Sequence, residues 1–381
     1  MKILFVAMQY IHSARWIHQL KDSHHEIYLF DCLDSPIHPD LQWTNYTTNW
    51  SKRKIKPLKG ETFLKKQLPS LSEKIQPFLK VTAAEKLQVL IQEIQPDVVH
   101  SMELQSESYP LIQVRKKIKF NWICSTWGSD IYYFSKESFH QKRIQNVLKN
   151  VNFLFTDNLR DISLAKKYGF NGKALGSFPG GGGFEVREDF IQPIKNRNLI
   201  LVKGYHHWAG RALNALKALE THLELIKNHQ IHVYAAHPNV IAEIERLQNE
   251  HDLEITYTAR GIEESHESLL QKFGQARIAI GISITDGIPN TLLEAMIYGA
   301  FPIQTNPGKV SEEYVTHKKN GWLIENAENH QEISEAIKQG LTNEELRSKA
   351  FEFNKNYRVS LSYQHIQQKV LEAYKTIEET L

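Results

Sequence analysis

The chain has 381 residues, of which 41% are hydrophobic and 23% charged, a globular composition long enough for two domains. Its formal net charge of +3 is too small to indicate nucleic-acid binding by itself. No run of about eighteen apolar residues is present, so we expect no transmembrane helix. The start, "MKILFVAMQY", predicts a first β-strand rather than a signal peptide. Cys32 and Cys124 are expected to be reduced in a cytoplasmic protein.

The first half of the chain alternates strand-like and helix-like segments, which predicts a parallel sheet covered by helices. The predicted strands are Lys2–Ala7, Glu26–Asp31, Val98–Ser101, Asn121–Ser125 and Val151–Thr156. A helix follows the first strand, and another runs from Asp157 to Tyr168, with Asp157 as its cap and Gly169 at its end. These elements predict an N-terminal domain over residues 1–190.

A basic segment, residues 51–80, interrupts this alternation. It has nine Lys and Arg residues against two Glu residues, with apolar residues such as Phe63 and Phe78 between them. One interpretation is a solvated, partly helical excursion. The other is a surface that approaches anionic lipid headgroups or a phosphate-bearing acceptor.

Four consecutive glycines, Gly180 to Gly183, end the first pattern. They indicate either an interdomain connection or a loop whose backbone approaches a ligand. A second alternating series then begins at Asn198–Tyr205. Its other predicted strands are Ile231–Ala235, Glu254–Tyr257, Arg277–Ser283 and Ala300–Thr305.

The second series predicts a C-terminal domain over residues 191–361. Residues 362–381 form a final helix, which is expected to pack back on the first domain because no strand follows it. The predicted fold class is therefore α/β, with two doubly wound domains facing across a cleft. In such sheets, ligands bind outside the C-terminal ends of the strands.

Several cofactor classes are disfavoured by missing motifs. Neither the GxGxxG fingerprint nor the P-loop pattern follows the first strand. The 18 histidines form no HExxH motif and no Cys/His cluster, so we expect no metal site. The adjacent pairs His24–His25 and His206–His207 would not face one another on a helix.

The stretch "SITDGIPNTLLEAM", residues 283–296, combines a strand end, a loop and a helix start at Asn290. The free N–H groups near Ile288–Thr291 and the helix dipole favour a phosphate there. Glu294 lies about one turn into the helix and can accept hydrogen bonds from ribose hydroxyls, and Asp286 can do the same for a sugar. The alternative is that Glu294 only complements the dipole and Asp286 caps a turn.

The stretch "DGIPNTLLEAM", followed by "YGAFPIQTNPG" and "EEYVTHKKNGWLIE", resembles the signature of glycosyltransferase family 4, retaining enzymes of the GT-B fold. Asp286 stands where the first glutamate of the Glu-x7-Glu pattern usually lies, and Glu294 matches the second. The residues that match the rest of the frame are Gly287, Pro289, Asn290, Leu293, Ala295, Met296 and Gly299. The tail "NGWLIE", Asn320–Glu325, also matches. The resemblance is strongest over residues 277–325 and covers most of the chain.

Looser similarities extend into the first domain. They lie in "HSARW", "PDVVHSME" and "STWGSDIYYF", where Trp127 replaces the usual histidine. The resemblance places four residues on the acceptor side: His12, Arg15, His100 and Asp130. His100 is the candidate for acceptor contact or acid–base work, with a structural histidine as the alternative.

The family's "GRLxxxKG" pattern is altered here to "VKGYHHWAGRAL". The resemblance therefore implies Lys203 and Arg211 as the cations that offset charge on the leaving nucleoside diphosphate. The alternative is that both are ordinary exposed basic residues. The donor-binding set implied is Gly287, Ile288, Pro289, Asn290, Thr291, Glu294, Lys203 and Arg211, and the catalytic candidates are Asp286, Glu294, Lys203, Arg211, His100 and Asp130.

The function implied by the resemblance is retaining transfer of a sugar from a nucleotide-diphosphate donor to a glycan or lipid-linked acceptor, as in surface polysaccharide or glycoconjugate biosynthesis. No cofactor and no metal are expected. The protein is expected in the cytoplasm or at the inner membrane face, which it would contact through residues 51–80. Two alternatives remain: a nucleotide-sugar 2-epimerase of the GT-B fold, and a non-catalytic nucleotide-sugar-binding protein.

Overall fold

The computed structural model describes residues 1–57, 59–262 and 264–381. Within two helices, the side chains of Lys65, Pro69, Ser70 and residues 72–74 lie outside the described part. The chain forms two compact units. The first comprises Met1–Thr156, Asp161–Gly182 and Gln368–Leu381, and the second comprises Asp157–Arg160 and Gly183–Gln367. The chain therefore passes from one unit to the other at residues 156–157, 160–161, 182–183 and 367–368.

The first unit is built on a seven-stranded parallel sheet with the order β3-β2-β1-β4-β5-β6-β7. Its strands are β1 Lys2–Val6, β2 Glu26–Phe30, β3 Asn45–Thr47, β4 Val98–Ser101, β5 Asn121–Thr126, β6 Phe153–Thr156 and β7 Lys173–Ser177. Strands β4 and β6 are buried along their whole length, which their apolar sequences favour when helices cover both faces of a sheet.

Eight α-helices begin in this half of the described chain. They are α1 Ile11–His18, α2 Glu61–Gln67, α3 Pro69–Leu79, α4 Ala83–Ile94, α5 Tyr109–Arg115, α6 Ser129–Tyr132, α7 Ser138–Leu148 and α8 Leu159–Lys167. Helix α4 starts with a capping box, in which Thr82 accepts from the Glu85 amide and the Glu85 side chain accepts from the Thr82 amide.

The second unit has a six-stranded sheet with the order β10-β9-β8-β11-β12-β13, and all of its pairings are parallel. Its strands are β8 Leu199–Lys203, β9 Gln230–Ala236, β10 Ile255–Ala259, β11 Ala276–Gly281, β12 Phe301–Thr305 and β13 Trp322–Ile324. The strand order reverses between β8 and β11. This is a topological switch point, where sheets of this kind bind ligands beyond the C-terminal strand ends.

The remaining helices are α9 Ala212–Glu220, α10 Leu223–Ile226, α11 Pro238–His251, α12 His266–Gln275, α13 Asn290–Tyr298, α14 His330–Thr342, α15 Glu344–Asn354, α16 Tyr357–Ser360 and α17 Tyr363–Glu378. Two parallel sheets with helices between successive strands confirm the predicted α/β class of two Rossmann-like domains. No helix among the described residues combines the length and apolar character that crossing a membrane requires.

The strands that the sequence did not predict all lie at sheet edges. They are β3 and β7 at the two edges of the first sheet and β13 at one edge of the second. β3 and β13 have three residues each, and β3 is largely exposed. Three residues are too few to show the alternating or continuous apolar pattern by which longer strands are recognised.

Three of the four consecutive glycines have a structural reason, either close packing or a positive φ angle. A Cβ at Gly180 would lie 2.9 Å from the Trp127 ring. Gly182 and Gly183 have φ angles of +72° and +88°, which side chains rarely adopt.

Candidate functional site

The switch point of the second sheet brings Lys203 and Asp286 together. Lys203 is the last residue of β8, and Asp286 lies in the loop that connects β11 with α13. The Lys203 Nζ is 3.9 Å from Oδ2 of Asp286, and the two side chains are 21% and 32% exposed. Since β8 and β11 are parallel neighbours, their C-terminal ends present both residues at one edge of the sheet. A cation and a carboxylate thus stand side by side where a ligand can reach them.

Opposing effects act on the pKa of Asp286. Burial raises this pKa, whereas Lys203, the Gly287 amide and Arg160 act in the opposite direction. The Gly287 amide donates to Oδ1 of Asp286 across 3.0 Å. Burial by itself favours the protonated form of Asp286. Lys203 and Arg160 therefore help to keep it ionised, so that it can accept hydrogen bonds.

The loop before α13 is held in place by residues 157–160, which the structure groups with the second unit. The amide of Ile288 donates to Oδ2 of Asp157 at 3.1 Å, and Arg160 Nη2 donates to the Asp286 carbonyl at 3.1 Å. A Cβ at Gly287 would lie 1.9 Å from Oδ2 of Asp157, so only glycine fits there. The sequence indicated Asp157 only as a helix cap. The structure adds its contact with the loop before α13.

Glu294 lies in the second turn of α13 and is 3% exposed. Its Oε1 is 2.7 Å from Nε2 of His266, the first residue of α12, which is partly exposed. The N-cap residue of α13, Pro289, makes no side-chain hydrogen bond. Within the described chain, the first turn of this helix also has no acidic residue, so its own side chains do not offset the positive end of the dipole.

Arg211 holds the loop that follows β8. Its Nε forms an ion pair with Glu328, and its Nη1 donates to the carbonyls of His207 and Gly210, each at 2.9 Å. Its backbone amide donates to the Ile282 carbonyl at 2.8 Å. The expected phosphate-binding cation is therefore already paired, and it joins the loop after β8 to the loop after β11.

An aromatic and basic patch, defined by Tyr205, His207, His237 and Arg260, lies next to Lys203. Lys203 Nζ and the Arg260 guanidinium lie 4.9 Å and 4.7 Å from the Tyr205 ring centroid. Arg260 Nη1 is 2.8 Å from Nε2 of His237, whose ring is 5.2 Å from that of His207. Burial and nearby positive charges lower the pKa of both histidines. The sequence analysis missed Arg260 and His237; their places directly after β10 and β9 were the available signal.

His100 has a different position from the one expected. Its side chain is 0% exposed, with Nδ1 at 2.7 Å from the Tyr374 hydroxyl and Nε2 at 2.8 Å from Ser125 Oγ. Burial lowers the pKa of His100 to about 3. Both ring nitrogens are engaged inside the first unit, so an acceptor cannot reach them, and the structural alternative is the better assignment.

Asp130 is also buried. Its Oδ1 accepts from the amides of Trp127 and Ile131 at 2.9 Å and 3.0 Å, and burial holds its pKa well above the usual range. It stabilises the turn after β5 and is not placed to contact an acceptor. His12 and Arg15, the other acceptor-side candidates, lie on α1, with His12 exposed and Arg15 partly buried.

Two protein-family models match the chain. The model described as Glycosyl transferase 4-like matches residues 2–158, and the model described as Glycosyl transferases group 1 matches residues 243–357. The second match includes the loop before α13 and helix α13 itself. No curated protein sequence matches the chain.

Solved structures of similar architecture span the whole chain. Sucrose-phosphate synthase from Thermosynechococcus elongatus has 13% identity and a TM-score of 0.73, with all of both chains covered. The lipopolysaccharide outer core galactosyltransferase WaaB has 14% identity and a TM-score of 0.69, with 99% of both chains covered. Anabaena HepE in complex with UDP-glucose has 12% identity and a TM-score of 0.68, with 99% of this chain and 100% of HepE covered. At these identities, the likeness shows a shared fold.

Proposed function

Because the chain belongs to the group 1 glycosyl transferases, we propose that it transfers a sugar from a nucleoside-diphosphate donor to a glycan or lipid-linked acceptor, with retention of the anomeric configuration. One observation carries the assignment of the donor site. Lys203 and Asp286 meet at the switch point of the second sheet, directly before the helix that bears Glu294. The UDP-glucose bound by HepE supports a nucleotide sugar as the donor class.

The donor diphosphate is assigned to the N-terminus of α13 and to Lys203. The N–H groups of a helix N-terminus bind phosphate oxygens, and the dipole adds positive potential there. Lys203 contributes a point charge that offsets the charge developing on the leaving diphosphate. Arg260 and His237 add further donors beside Lys203, whereas Arg211 acts by fixing the loop.

The hydroxyl groups of the donor are assigned to the two acids. Asp286 accepts from hydroxyls of the transferred sugar, and its arm is one methylene shorter than that of the glutamate common in the family. Glu294 accepts from the ribose, and its bond with His266 orients the carboxylate. The acids therefore bind neutral groups on either side of an anion, and do not oppose the phosphate site.

Retention is proposed from the family resemblance, with attack on the face from which the diphosphate leaves and a donor phosphate oxygen assisting removal of the acceptor proton. In this scheme the protein orients both substrates and stabilises charge. No protein nucleophile and no metal ion are assigned to the transfer step.

The acceptor is proposed to be presented at an anionic membrane surface through residues 51–80. Phe63 and Phe78 are 67% and 74% exposed, which is unusual for large aromatic side chains. Exposed lysines, namely Lys52, Lys56, Lys59 and Lys66, flank them. Such a combination of aromatic and basic residues suits the interface of an anionic bilayer. The side chains of Lys65, Glu73 and Lys74 lie outside the described residues.

Thermal-shift screening with UDP-, GDP-, ADP- and dTDP-sugars, followed by assays of the best donor with and without candidate acceptors, tests this function. A transferase stabilised by one donor should form a glycosylated product only when an acceptor is present. Consumption of the donor without an acceptor, through a change at C2, would instead identify an epimerase. Binding without any turnover under all acceptor conditions would identify a nucleotide-sugar-binding protein.

A further inference from the structure

Three side chains of metal-ligating type meet in the first unit: His24, His25 and Glu378. One ligand atom of each lies within 4.8 Å of those of the other two. His24 Nε2 is 3.0 Å from Oε2 and 3.1 Å from Oε1 of Glu378, and the two imidazole centroids are 4.2 Å apart. The adjacent histidines approach each other because residues 21–25 form turns and bends rather than a helix. The helical-spacing argument against this pair is therefore wrong.

We propose that this cluster binds one Zn²⁺ ion, with water completing a tetrahedral site. Two imidazole nitrogens and a carboxylate oxygen are ligands that zinc takes in proteins. With metal–ligand bonds of about 2.0–2.2 Å, ligand atoms lie roughly 3.4 Å apart. His24 Nε2 and Glu378 Oε2, 3.0 Å apart, are now at hydrogen-bond distance and would separate slightly to reach this value. The His24 side chain is 69% exposed, so it can rotate to close the remaining distance.

The cluster already has a cation beside it, the amino group of Met1. This amino group lies 3.3 Å from Nδ1 of His25. The Met1 amino group lies 3.4 Å from Oε1 of Glu378 and is the cation that now pairs with this carboxylate. A zinc ion would replace it as the partner and would bring two more bonds.

A second cluster of similar residue types does not offer such a site. Glu220, Glu250 and His251 also lie close together. However, the guanidinium of Arg246 binds both carboxylates, and its Nη2 is 2.8 Å from Oε2 of Glu220. The Arg246 guanidinium therefore holds both carboxylates of that cluster and pairs with Glu220 through two nitrogens, whereas the cation beside the first cluster is the single amino group of Met1, 3.4 Å from Glu378 Oε1.

Zinc at the first cluster would link two parts of the chain that are distant in sequence. His24 and His25 directly precede β2, and Glu378 is the last residue of α17. Because the unfolded chain separates these ligands by more than three hundred residues, the metal should bind the folded protein and stabilise it. The site shares no residue with the proposed donor site, so the transfer reaction does not depend on it.

Calorimetric titration of the metal-stripped full-length protein with ZnCl₂ tests the proposal. We expect one tightly bound Zn²⁺ per chain and an increase in Tm at saturation, with no comparable effect of MgCl₂. His24→Ala and Glu378→Gln alter partly exposed side chains and should each weaken zinc binding by about 10- to 100-fold or more. His330→Ala, at an exposed histidine outside the cluster, is the matched control and should bind zinc as the native chain does.

Circular dichroism of the metal-free variants checks that they remain folded. The proposal is overturned if the native chain does not bind Zn²⁺ at a stoichiometry near one per chain. Equal zinc affinity in the native chain and in the double variant His24→Ala/Glu378→Gln would also overturn it, because the ion would then belong to other side chains. Neither result would affect the proposed glycosyl transfer.

Discussion

The backbone amide of Ile288 donates a hydrogen bond to Oδ2 of Asp157 across 3.1 Å, although 131 positions separate the two residues in the chain. This bond fixes the loop immediately before α13. It forms because Gly287 has no side chain to displace the carboxylate. The shape of the proposed phosphate site therefore depends on a residue outside the sequence motif.

Replacing Asp157 with alanine should destabilise the second unit and weaken donor binding. The variant leaves the buried Ile288 amide without this acceptor, which costs about 1–3 kcal/mol. We expect a lower unfolding free energy in urea and a higher KM for the donor. Asp157→Asn keeps an oxygen acceptor and should lose less in both measurements. Equal losses in the two variants would contradict the assigned hydrogen bond.

Gly287→Ala provides a second test of the same contact. The added methyl group would overlap Asp157 Oδ2, so we expect a large loss of donor affinity. In the Asp157→Ala background this overlap is absent, and the double variant should lose less than the sum of the single variants. Additive losses in a double-mutant cycle would show that Gly287 acts through something else.

Lys203→Met should weaken donor binding by roughly tenfold, because the diphosphate loses a nearby positive charge. Lys203 also opposes the rise in the Asp286 pKa that burial causes. Without it this pKa rises further, so the carboxylate is protonated at a higher pH and the acidic limb of activity moves to higher pH. Lys203→Arg keeps the charge and should keep the limb near its native position. The pH profile of kcat/KM for the native chain, Lys203→Met and Lys203→Arg measures the position of this acidic limb.

Glu294→Gln should reduce kcat/KM by about 10- to 100-fold, the loss expected for a hydrogen bond to a charged group of about 1.5–3 kcal/mol. The substitution keeps the size of the side chain, so the fold should be retained. Glu335→Gln, on the exposed face of α14, is a matched control without a role in the site. Native activity in Glu294→Gln would remove the ribose assignment.

His100→Gln should change how stability depends on pH. Because burial lowers the His100 pKa from 6.5 to about 3, the native state binds fewer protons than the unfolded state between these values. The histidine's contribution is therefore fully present above pH 6.5 and is lost as the pH falls toward 3.

Glutamine does not titrate, so the difference in unfolding free energy between wild type and His100→Gln should change between pH 7 and pH 4. The expected change is on the order of 3 kcal/mol, with the wild type losing more as the pH falls. Urea unfolding at several pH values measures it. A pH-independent difference would contradict the proton linkage.

Membrane contact through residues 51–80 is tested by flotation with anionic liposomes. Lys52→Glu/Lys56→Glu and Phe63→Ser/Phe78→Ser should each reduce liposome binding strongly, since one removes positive charge and the other removes exposed apolar area. Arg53 and Lys54 are left unchanged because they form ion pairs with Glu61 and with Glu85 of α4. Wild-type binding in both variants would exclude this surface.

Much of the fold follows from local sequence pattern. The central strands, such as β1 and β8, contain apolar runs long enough to be identified one by one, and helix α13 begins at the predicted residue, Asn290. The edge strands β3 and β13 were not predicted because each has only three residues, too few to show a periodic pattern. Each is held in its sheet by pairing with one neighbouring strand, β3 with β2 and β13 with β12.

The sequence by itself indicated the family resemblance and the motif that contains Asp286 and Glu294, because these two residues are eight positions apart and their spacing follows from one loop and one helix. Only the tertiary structure decided which distant residues lie at the proposed donor site and which candidate residues lie away from it. It brought Asp157 and Arg160 to the loop before α13 and Arg260 to the Tyr205 ring. It also paired Arg211 with Glu328 and buried His100 against Tyr374. The physical reason is that charge pairing and burial depend on contacts between segments far apart in the chain, and local spacing carries no information about them.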